Sequence, residues 1–512
     1  MTRHFEKNCV ISGAGMSKMY RKPEVYPFNL AVDACRNAIA DAGLEIGDID
    51  GIACWPHAAV HVGHGSSAAS PVDIKNSLGL KLNWFEAGMG PGQFASIANA
   101  IGAIAAGYCN HVLCYRAEGE RWVPMYGKAY ADGNLPTPEG FNQWTTPYFA
   151  PSAATWLALH ADLHMRQTGL TREQLAMIAI NQRKNAALNP NAVYREPITL
   201  DEYFDARMIT TPFCIYDCDV PIDGAAAVVI SRADAIPASS RPTVRFEAVG
   251  TALHDHFSWF QRSDFPNMAM SDAAKMLWSR TDLTPADLTS AHLYDGFSWL
   301  TVLWLEALGI TKPGETGDFL EGGQRIALDG VLPLNTNGGQ LSEGRLHAFN
   351  HLVEAVRQLR GEAGDRQVAD AKVAVCSAGG GVFVDAGRGR AVCGLDVERA
   401  HGAGSDLVHQ LSGPLSAGAS RHRWRCAAAC VGPKSNTVAK SIASEYHSAL
   451  HTGSFRWHSG MEDDRDHTFS HLCKPFFLDS LPKILGIDGA PGRFGWLLQP
   501  PRQRPGRVLA LV

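Results

Sequence analysis

Short apolar runs alternate with helical patterns along the first part of this chain, and this alternation constrains its fold more than any other feature. The strand patterns are residues 9–15, 47–56 and 111–119, and the helix patterns are residues 28–43 and 92–107. The second helix is rich in alanine and glycine, which suits a helix buried on all sides. Strands that alternate with helices predict a parallel sheet covered by helices.

A second series of the same kind follows an interruption. Residues 116–215 hold several aromatic and proline residues and one clear helix, 172–189, so we predict an inserted region over the sheet. The second series follows a strand pattern at 223–231 and a linker at 232–243, and comprises residues 244–253, a helix near 271–280, residues 291–297, a helix at 299–309 and residues 372–387. We therefore expect two α/β halves whose order of elements resembles a duplication.

The character of the sequence changes near residue 388. Residues 388–512 show no sustained period of 2.0 or 3.6 residues. Their scattered histidines and cysteines match no zinc pattern, so we predict no metal site. The predicted organisation is an N-terminal half at 1–241 that contains the insertion, a C-terminal half at 242–387, and an irregular, disordered tail at 388–512.

Composition limits the class of protein. The chain has 512 residues, of which 46% are hydrophobic and 19% charged, so it holds enough apolar mass for a large core. The net charge of -5 gives no reason to expect nucleic acid or an anionic membrane as a partner. The sequence contains no apolar run of about 18 residues, so we expect no transmembrane helix. Its first residues include too few apolar side chains for a signal peptide, so we expect none. The 12 cysteines form no disulfide pattern, which fits a reducing cytoplasm.

The stretch 335–361 is the best candidate for a binding site. Gly338 and Gly339 allow the backbone to approach a ligand closely, because they have no Cβ. A helical pattern from Leu346 to Leu359 follows a segment too rich in glycine to be helical. The start of a helix offers unpaired N–H groups, so this joint suits a site that holds an oxyanion. The alternative is an ordinary loop-to-helix connection.

Five segments together resemble the thiolase superfamily. They are GYCNHVLCYRAEG (107–119), DCDVPIDGAAAVVIS (217–231), LYDGFSWLTVLWLEALG (293–309), LPLNTNGGQLSEG (332–344) and EAVRQLRG (354–361). They are most similar to the sterol-carrier and lipid-transfer branch, and the resemblance covers about residues 8–387. It implies a five-layered αβαβα core built from two duplicated halves, normally in a homodimer.

Three catalytic groups of that family are missing from this chain. Met89 stands where a thiolase has its nucleophilic cysteine, and a thioether cannot form an acyl-enzyme. Tyr294 replaces the asparagine of the family's N-E-A-F motif, and Arg345 replaces the histidine of its G-H-P motif. Cys376 alone matches a family cysteine, the one before the last Gly-rich turn.

One branch of the superfamily has similar losses, the aldolases of steroid side-chain degradation. The resemblance implies a carbon-carbon lyase that splits a β-hydroxyacyl-CoA into a ketone and a shorter acyl-CoA. Retro-aldol cleavage needs an acid/base group and an oxyanion hole but no covalent carrier. The resemblance also implies a coenzyme A thioester as substrate, no bound cofactor, and a small partner protein with an OB-fold and a zinc ribbon.

The resemblance gives Tyr294 a catalytic role, and three further side chains are candidates from their chemistry and position. Tyr294 is the candidate acid/base group and needs a neighbouring donor or cation, because an unperturbed phenol has a pKa near 10. Arg345 occupies the position of a second family tyrosine, and arginine can anchor a charge but cannot give up its proton. His347 is a candidate for proton transfer or for a packing role. Asp295 is expected to orient one of these groups or to cap the helix that follows it.

Backbone N–H groups near Gly338, Gly339 and Gly381 are the candidate oxyanion donors. Two other functions remain open from the sequence. One is an acetyl-CoA acetyltransferase or other thiolase-type acyltransferase that uses Cys376, and the other is a non-catalytic acyl-CoA or lipid-binding subunit.

Overall fold

The computed structural model describes residues 4–22, 24–55, 68–87, 93–119, 148, 150, 152–236, 244–252, 254 and 263–379. These residues belong to the first of two compact units, Met1–Gly404; the second, Ser405–Val512, lies outside the described residues. The predictions made for Met89, Gly381 and the tail at 388–512 also lie outside the described residues.

The strands are β1 Cys9–Met16, β2 Gly51–Cys54, β3 Trp84–Ala87, β4 His111–Gly119, β5 Met208–Thr210, β6 Phe213–Cys214, β7 Asp223–Arg232, β8 Val244–Arg245, β9 Ser290–His292 and β10 Ala374–Cys376. The helices are α1 Pro27–Asp41, α2 Pro71–Leu78, α3 Ala95–Ala105, α4 Ala153–Thr168, α5 Arg172–Ala187, α6 Leu200–Asp205, α7 Ala269–Trp278, α8 Ser298–Ala307, α9 Thr316–Leu320, α10 Gly339–Ser342 and α11 Phe349–Arg360.

The first half forms a six-stranded mixed sheet in the order β3-β2-β4-β7-β1-β8. Strand β2 pairs in parallel with both β3 and β4. Strand β7 pairs antiparallel with β4 and with β1, and β8 pairs antiparallel with β1. The prediction of a parallel sheet was therefore wrong for three of the five strand pairings, because apolar runs indicate burial but not strand direction.

Helix α1 lies directly on β1. A Cβ at Gly13 would come within 2.1 Å of the Ala38 oxygen, and one at Gly15 within 2.3 Å of the Ala38 nitrogen. Only glycine permits this approach, so the SGAG sequence of β1 is a contact surface for the helix.

The sheet has a helix layer on each face, as the alternation of side chains along β7 shows. One set of β7 side chains packs with α1 and α2, and the other packs with α3 and α11. The first set is Ala225, Ala227 and Val229, and the second is Ala226, Val228 and Ile230. Helix α11 comes from the second half of the chain, so a helix of one half covers the sheet of the other.

The second half contributes the parallel pair β9–β10, and Leu334 forms an isolated parallel bridge with Ala291 of β9. Two predictions made here were wrong. Of the predicted strand 244–253, the described residues 244–252 contain only the short strand β8, which joins the sheet of the first half. The stretch judged too rich in glycine for a helix contains α10, because a buried carboxylate binds its first N–H groups.

Two long helices dominate the region between β4 and β7. Helix α5 matches the predicted helix 172–189 and begins with a capping box between Thr171 and Gln174. Helix α4 was not predicted, because its apolar residues lack a clear period and Leu159 is 68% exposed on it. Both helices pack with α8 in one apolar cluster. Among the described helices, none is long and apolar enough to cross a membrane.

Candidate active site

Tyr294 is fixed where β9 ends. Its backbone N–H donates to the Ser377 hydroxyl at 2.9 Å, just beyond the end of β10. The Asn335 side chain accepts from the N–H of Leu293 at 2.7 Å and donates to the Leu293 carbonyl at 2.9 Å. The ends of the parallel strands therefore meet at Tyr294, where the carboxyl edge of a sheet commonly holds functional residues.

The Tyr294 phenol lies among charged groups and is 8% exposed. Burial raises its pKa most, and the negative charge of Asp219 adds to this effect. The positive charge of Arg345 opposes it, but Arg345 itself donates to Asp219 at 2.8 Å. The side-chain amide of Gln340 also favours the phenolate. Tyr294 is consequently a protonated phenol near neutral pH, which suits a proton donor.

Asp295 is fully buried and binds other segments of the chain. Its carboxylate accepts from the backbone N–H groups of Gln340 at 3.0 Å and Leu341 at 3.4 Å. It also lies 2.9 Å from Nε2 of His351 on α11. The expectation that Asp295 caps the following helix was wrong, because the helix it caps is α10, about 45 residues further along the chain.

The two glycines proposed as oxyanion donors are engaged elsewhere. The N–H of Gly338 donates to the Asn335 carbonyl at 2.9 Å, and the N–H of Gly339 donates to Oδ1 of Asn337 at 3.2 Å. A Cβ at Gly339 would lie 2.1 Å from Oδ2 of Asp295. The assignment of these N–H groups to an oxyanion hole is thus corrected: the glycines allow close packing of the protein itself.

Glu343 binds three asparagine side chains around the segment 335–344. Its buried carboxylate accepts from Nδ2 of Asn189 at 2.8 Å and of Asn350 at 2.8 Å, and also from Asn337. Burial raises the pKa of Glu343, and the three amides oppose that effect. Glu343 therefore anchors the segment before Arg345.

His347 belongs to a second cluster, at the carboxyl end of β4. Its Nδ1 lies 2.7 Å from Oε1 of Glu118, and its ring packs edge-on against Trp55 at 5.9 Å between centroids. Glu118 also forms an ion pair with Arg116, and both side chains are almost fully buried. His347 has a positive φ of 51°, which turns the backbone so that the imidazole enters this cluster.

Sequence reasoning missed Arg116 and Glu118, although both lie in the YRAEG motif. A signal was present, since two charged residues interrupt an apolar strand pattern. The Tyr294 cluster and the His347 cluster are separate, and the segment Gly344–Ala348 joins them, because it carries Arg345 into one and His347 into the other.

Cys376 ends β10 and faces the apolar core. Its Sγ lies 3.9 Å from the His351 carbonyl oxygen, and burial raises the pKa of the thiol to about 12. A thiol in this state is a poor nucleophile. Within the part of the chain that the structure describes, no group of three or more His, Cys, Asp and Glu side chains is arranged to hold a metal ion.

Comparison with known proteins supports these motifs. The chain is 32% identical to a steroid side-chain-cleaving aldolase of Thermomonospora curvata, over 73% of this chain and 95% of that protein. This chain belongs to the thiolase superfamily, in its sterol-carrier and lipid-transfer branch. Residues 251–388 match the family model described as thiolase C-terminal domain-like.

Further relatives of this superfamily member are consistent with that assignment. It is 31% identical to the 17-hydroxy-3-oxo-4-pregnene-20-carboxyl-CoA lyase of Mycobacterium tuberculosis, over 73% of this chain and 96% of the lyase. A solved structure described as the Ltp2-ChsH2(DUF35) aldolase aligns with a TM-score of 0.64 at 31% identity, over 73% of this chain and 96% of that one. The predicted thiolase-like fold class is confirmed, and the predicted domain boundaries stay a prediction.

Proposed function

We propose that this protein is a carbon-carbon lyase that cleaves a β-hydroxyacyl-CoA, with a steroid or lipid side chain, into a ketone and a shorter acyl-CoA. The observation that carries the proposal is the similarity to a coenzyme A lyase along 96% of that enzyme's length. The loss of the nucleophile position to Met89 and the buried state of Cys376 support a mechanism without an acyl-enzyme.

Retro-aldol cleavage moves one proton and one electron pair. The β-hydroxyl loses its proton, and the Cα–Cβ bond breaks. Its electrons pass into the thioester as an enolate while the hydroxyl oxygen becomes the ketone oxygen. The α-carbon then takes a proton, so the overall reaction consumes none. The site must therefore offer a base, an acid and positive charge near the enolate.

Tyr294 is assigned the acid. Its raised pKa keeps the phenol protonated near neutral pH, so it is ready to donate to the α-carbon of the enolate. Arg345 brings positive charge next to it, and its ion pair with Asp219 holds the guanidinium in place. This role replaces the two-tyrosine arrangement of the family with one tyrosine and one permanent cation.

His347 is assigned the base. The Glu118 carboxylate lies 2.7 Å from Nδ1, and Nη2 of Arg116 lies 3.3 Å from the same nitrogen. When Nδ1–H is donated to Glu118, Nε2 is left to accept a proton. Nε2 then takes the hydroxyl proton, and this proton restores the Tyr294 phenol through solvent after product forms. The assignment gives Glu118 the role of orienting the imidazole.

Partner proteins are part of the proposal. The solved Ltp2-ChsH2(DUF35) aldolase supports a small partner protein, for which we retain the OB-fold and zinc-ribbon architecture. A homodimer is supported by β3, an edge strand of the six-stranded sheet whose Phe85 is 69% exposed. The cytoplasmic location also stays a prediction.

The deciding experiment supplies a β-hydroxyacyl-CoA that carries a tertiary β-hydroxyl group, with and without a co-expressed OB-fold partner. Mass spectrometry of the products is expected to show a ketone and a shorter acyl-CoA in equal amounts. A stable acyl adduct on Cys376 without ketone would favour the acyltransferase instead. Tight acyl-CoA binding without turnover in both conditions would favour the binding subunit.

A further inference from the structure

We propose that His351 is a positioning residue, which holds the Asp295 carboxylate and through it sets the position of Gln340 beside the Tyr294 phenol. His351 lies on α11 and is fully buried, and it was not among the site residues identified from the sequence. The catalytic part of this inference rests on the proposed function, whereas its structural part does not.

The contacts of Asp295 single out His351. The carboxylate accepts from two backbone N–H groups, of Gln340 and Leu341, and its third contact is Nε2 of His351 at 2.9 Å. Among the hydrogen-bond partners of Asp295 in the described part of the chain, His351 is thus the only side chain and the only one able to carry positive charge. A fully buried carboxylate depends strongly on such a partner.

Asp295 in turn fixes Gln340. The N–H of Gln340 donates to Asp295 at 3.0 Å, and the carbonyl of Gln340 accepts from the N–H of Val220 at 3.0 Å. Val220 also accepts from the N–H of Arg345 at 3.0 Å, and it follows Asp219 directly. Gln340 is therefore held from both sides, next to the groups that surround the phenol.

The charge of Asp295 also reaches Tyr294 directly. It raises the pKa of the phenol, together with burial and Asp219. Loss of the His351 contact removes a donor from a buried carboxylate, which loosens the position of Asp295 and, with it, the start of α10.

In the described part of the chain, the other titratable groups near His351 include His292, Glu354 and Cys376. His292 lies near it and is kept neutral by burial, which lowers its pKa to about 4. Glu354 lies near His292 and is paired with Arg366 at 2.9 Å. The Cys376 thiol touches the His351 carbonyl, and burial keeps it protonated. Among these groups, Asp295 is the one whose side chain contacts the His351 imidazole.

The test compares two variants of His351 with a matched buried histidine. His351→Leu removes the donor, and His351→Gln keeps a donor without a charge. His164→Leu is the control, since His164 is equally buried but contacts Trp299 and Glu306 away from the site. We expect His351→Leu to lower kcat by on the order of 10²-fold with little change in KM. His351→Gln should recover part of this loss, and His164→Leu should change only stability.

One further measurement separates positioning from general stability. In the double variant with Tyr294→Phe, His351→Leu should add little to the loss caused by Tyr294→Phe alone, since both act through one phenol. Additive losses would overturn the inference.

A readout without turnover keeps this inference distinct from the proposed reaction. 3-Fluorotyrosine at position 294 reports the surroundings of the phenol by ¹⁹F NMR in the resting protein. We expect its resonance to move in both His351 variants and to stay in place in His164→Leu. An unmoved resonance in the His351 variants refutes the positioning role, even if the wild-type protein releases ketone. Absence of ketone with a moved resonance refutes only the lyase assignment.

Discussion

Replacement of Tyr294 by phenylalanine tests the central catalytic assignment. The change removes the hydroxyl and its interaction with the Gln340 side chain. The hydrogen bond to Ser377 is kept, because it comes from the backbone N–H of Tyr294. Phenylalanine keeps the ring that fills this site, which is 8% exposed. Acyl-CoA binding should therefore be nearly unchanged.

The expected sizes of the two effects differ enough to separate them. Loss of one general acid lowers kcat by about 10²–10⁴-fold, which corresponds to about 2.7–5.5 kcal/mol in the activation barrier. Loss of a hydroxyl hydrogen bond costs about 0.5–1.5 kcal/mol of folding stability. A large fall in kcat with a small change in the unfolding free energy would thus mark a chemical role.

Tyr203→Phe provides the matched control. Tyr203 is fully buried, and its hydroxyl donates to both carboxylate oxygens of Asp217 at 2.8 Å, whereas neither residue has a role in the proposed reaction. Its loss leaves a buried carboxylate with one donor fewer, which should cost about 1–3 kcal/mol of stability without changing kcat. The assay is ketone release at saturating substrate, with urea unfolding of each variant. A Tyr294→Phe enzyme within about threefold of wild type would refute the assignment.

Two other variants test buried groups near β9 and β10. Cys376→Ser should retain most of the ketone release, and intact-protein mass spectrometry should detect no acyl adduct on the wild-type protein; loss of activity together with a wild-type adduct at this thiol would contradict the mechanism. Burial lowers the pKa of His292 to about 4 in the folded protein, from about 6.5 in the unfolded chain. Between these two pH values the unfolded state binds more protons than the folded state. The free energy of unfolding therefore falls as the pH falls. Urea unfolding should show about 3 kcal/mol less stability from this group at pH 4 than at pH 7, and His292→Gln should lack that part of the loss; an identical pH dependence in the variant would show that His292 is not responsible.

Local patterns predicted the elements of the sheet well. The runs at 9–15, 111–119 and 223–231 all became strands, and the capped pattern at 172–189 became α5. These elements depend mainly on residues close together in the chain. Strand direction was not predictable in the same way, because it depends on how distant strands pair.

The site was harder to predict, because its contacts join distant residues. Asp295 creates the start of α10 from about 45 residues away, and Glu118 meets His347 across more than 200 residues. Tyr294, Arg345 and His347 were found through family motifs, whereas Glu118 and His351 have no local pattern that reveals a partner. The groups that closely approach the glycine pair are residues of the protein itself, Ala186 at Gly338 and Asp295 at Gly339.

The segment Gly344–Ala348 lets the two clusters change independently. Arg345 extends to Asp219, and His347, only two positions later, extends to Glu118. A substitution at position 345 can thus alter the charge beside the phenol and leave the imidazole in place. The resemblance to the side-chain-cleaving aldolases implies a tyrosine at this position, and arginine occupies it here. Reintroducing that tyrosine should be a one-residue exchange, which makes position 345 a natural entry point for converting one version of this chemistry into the other.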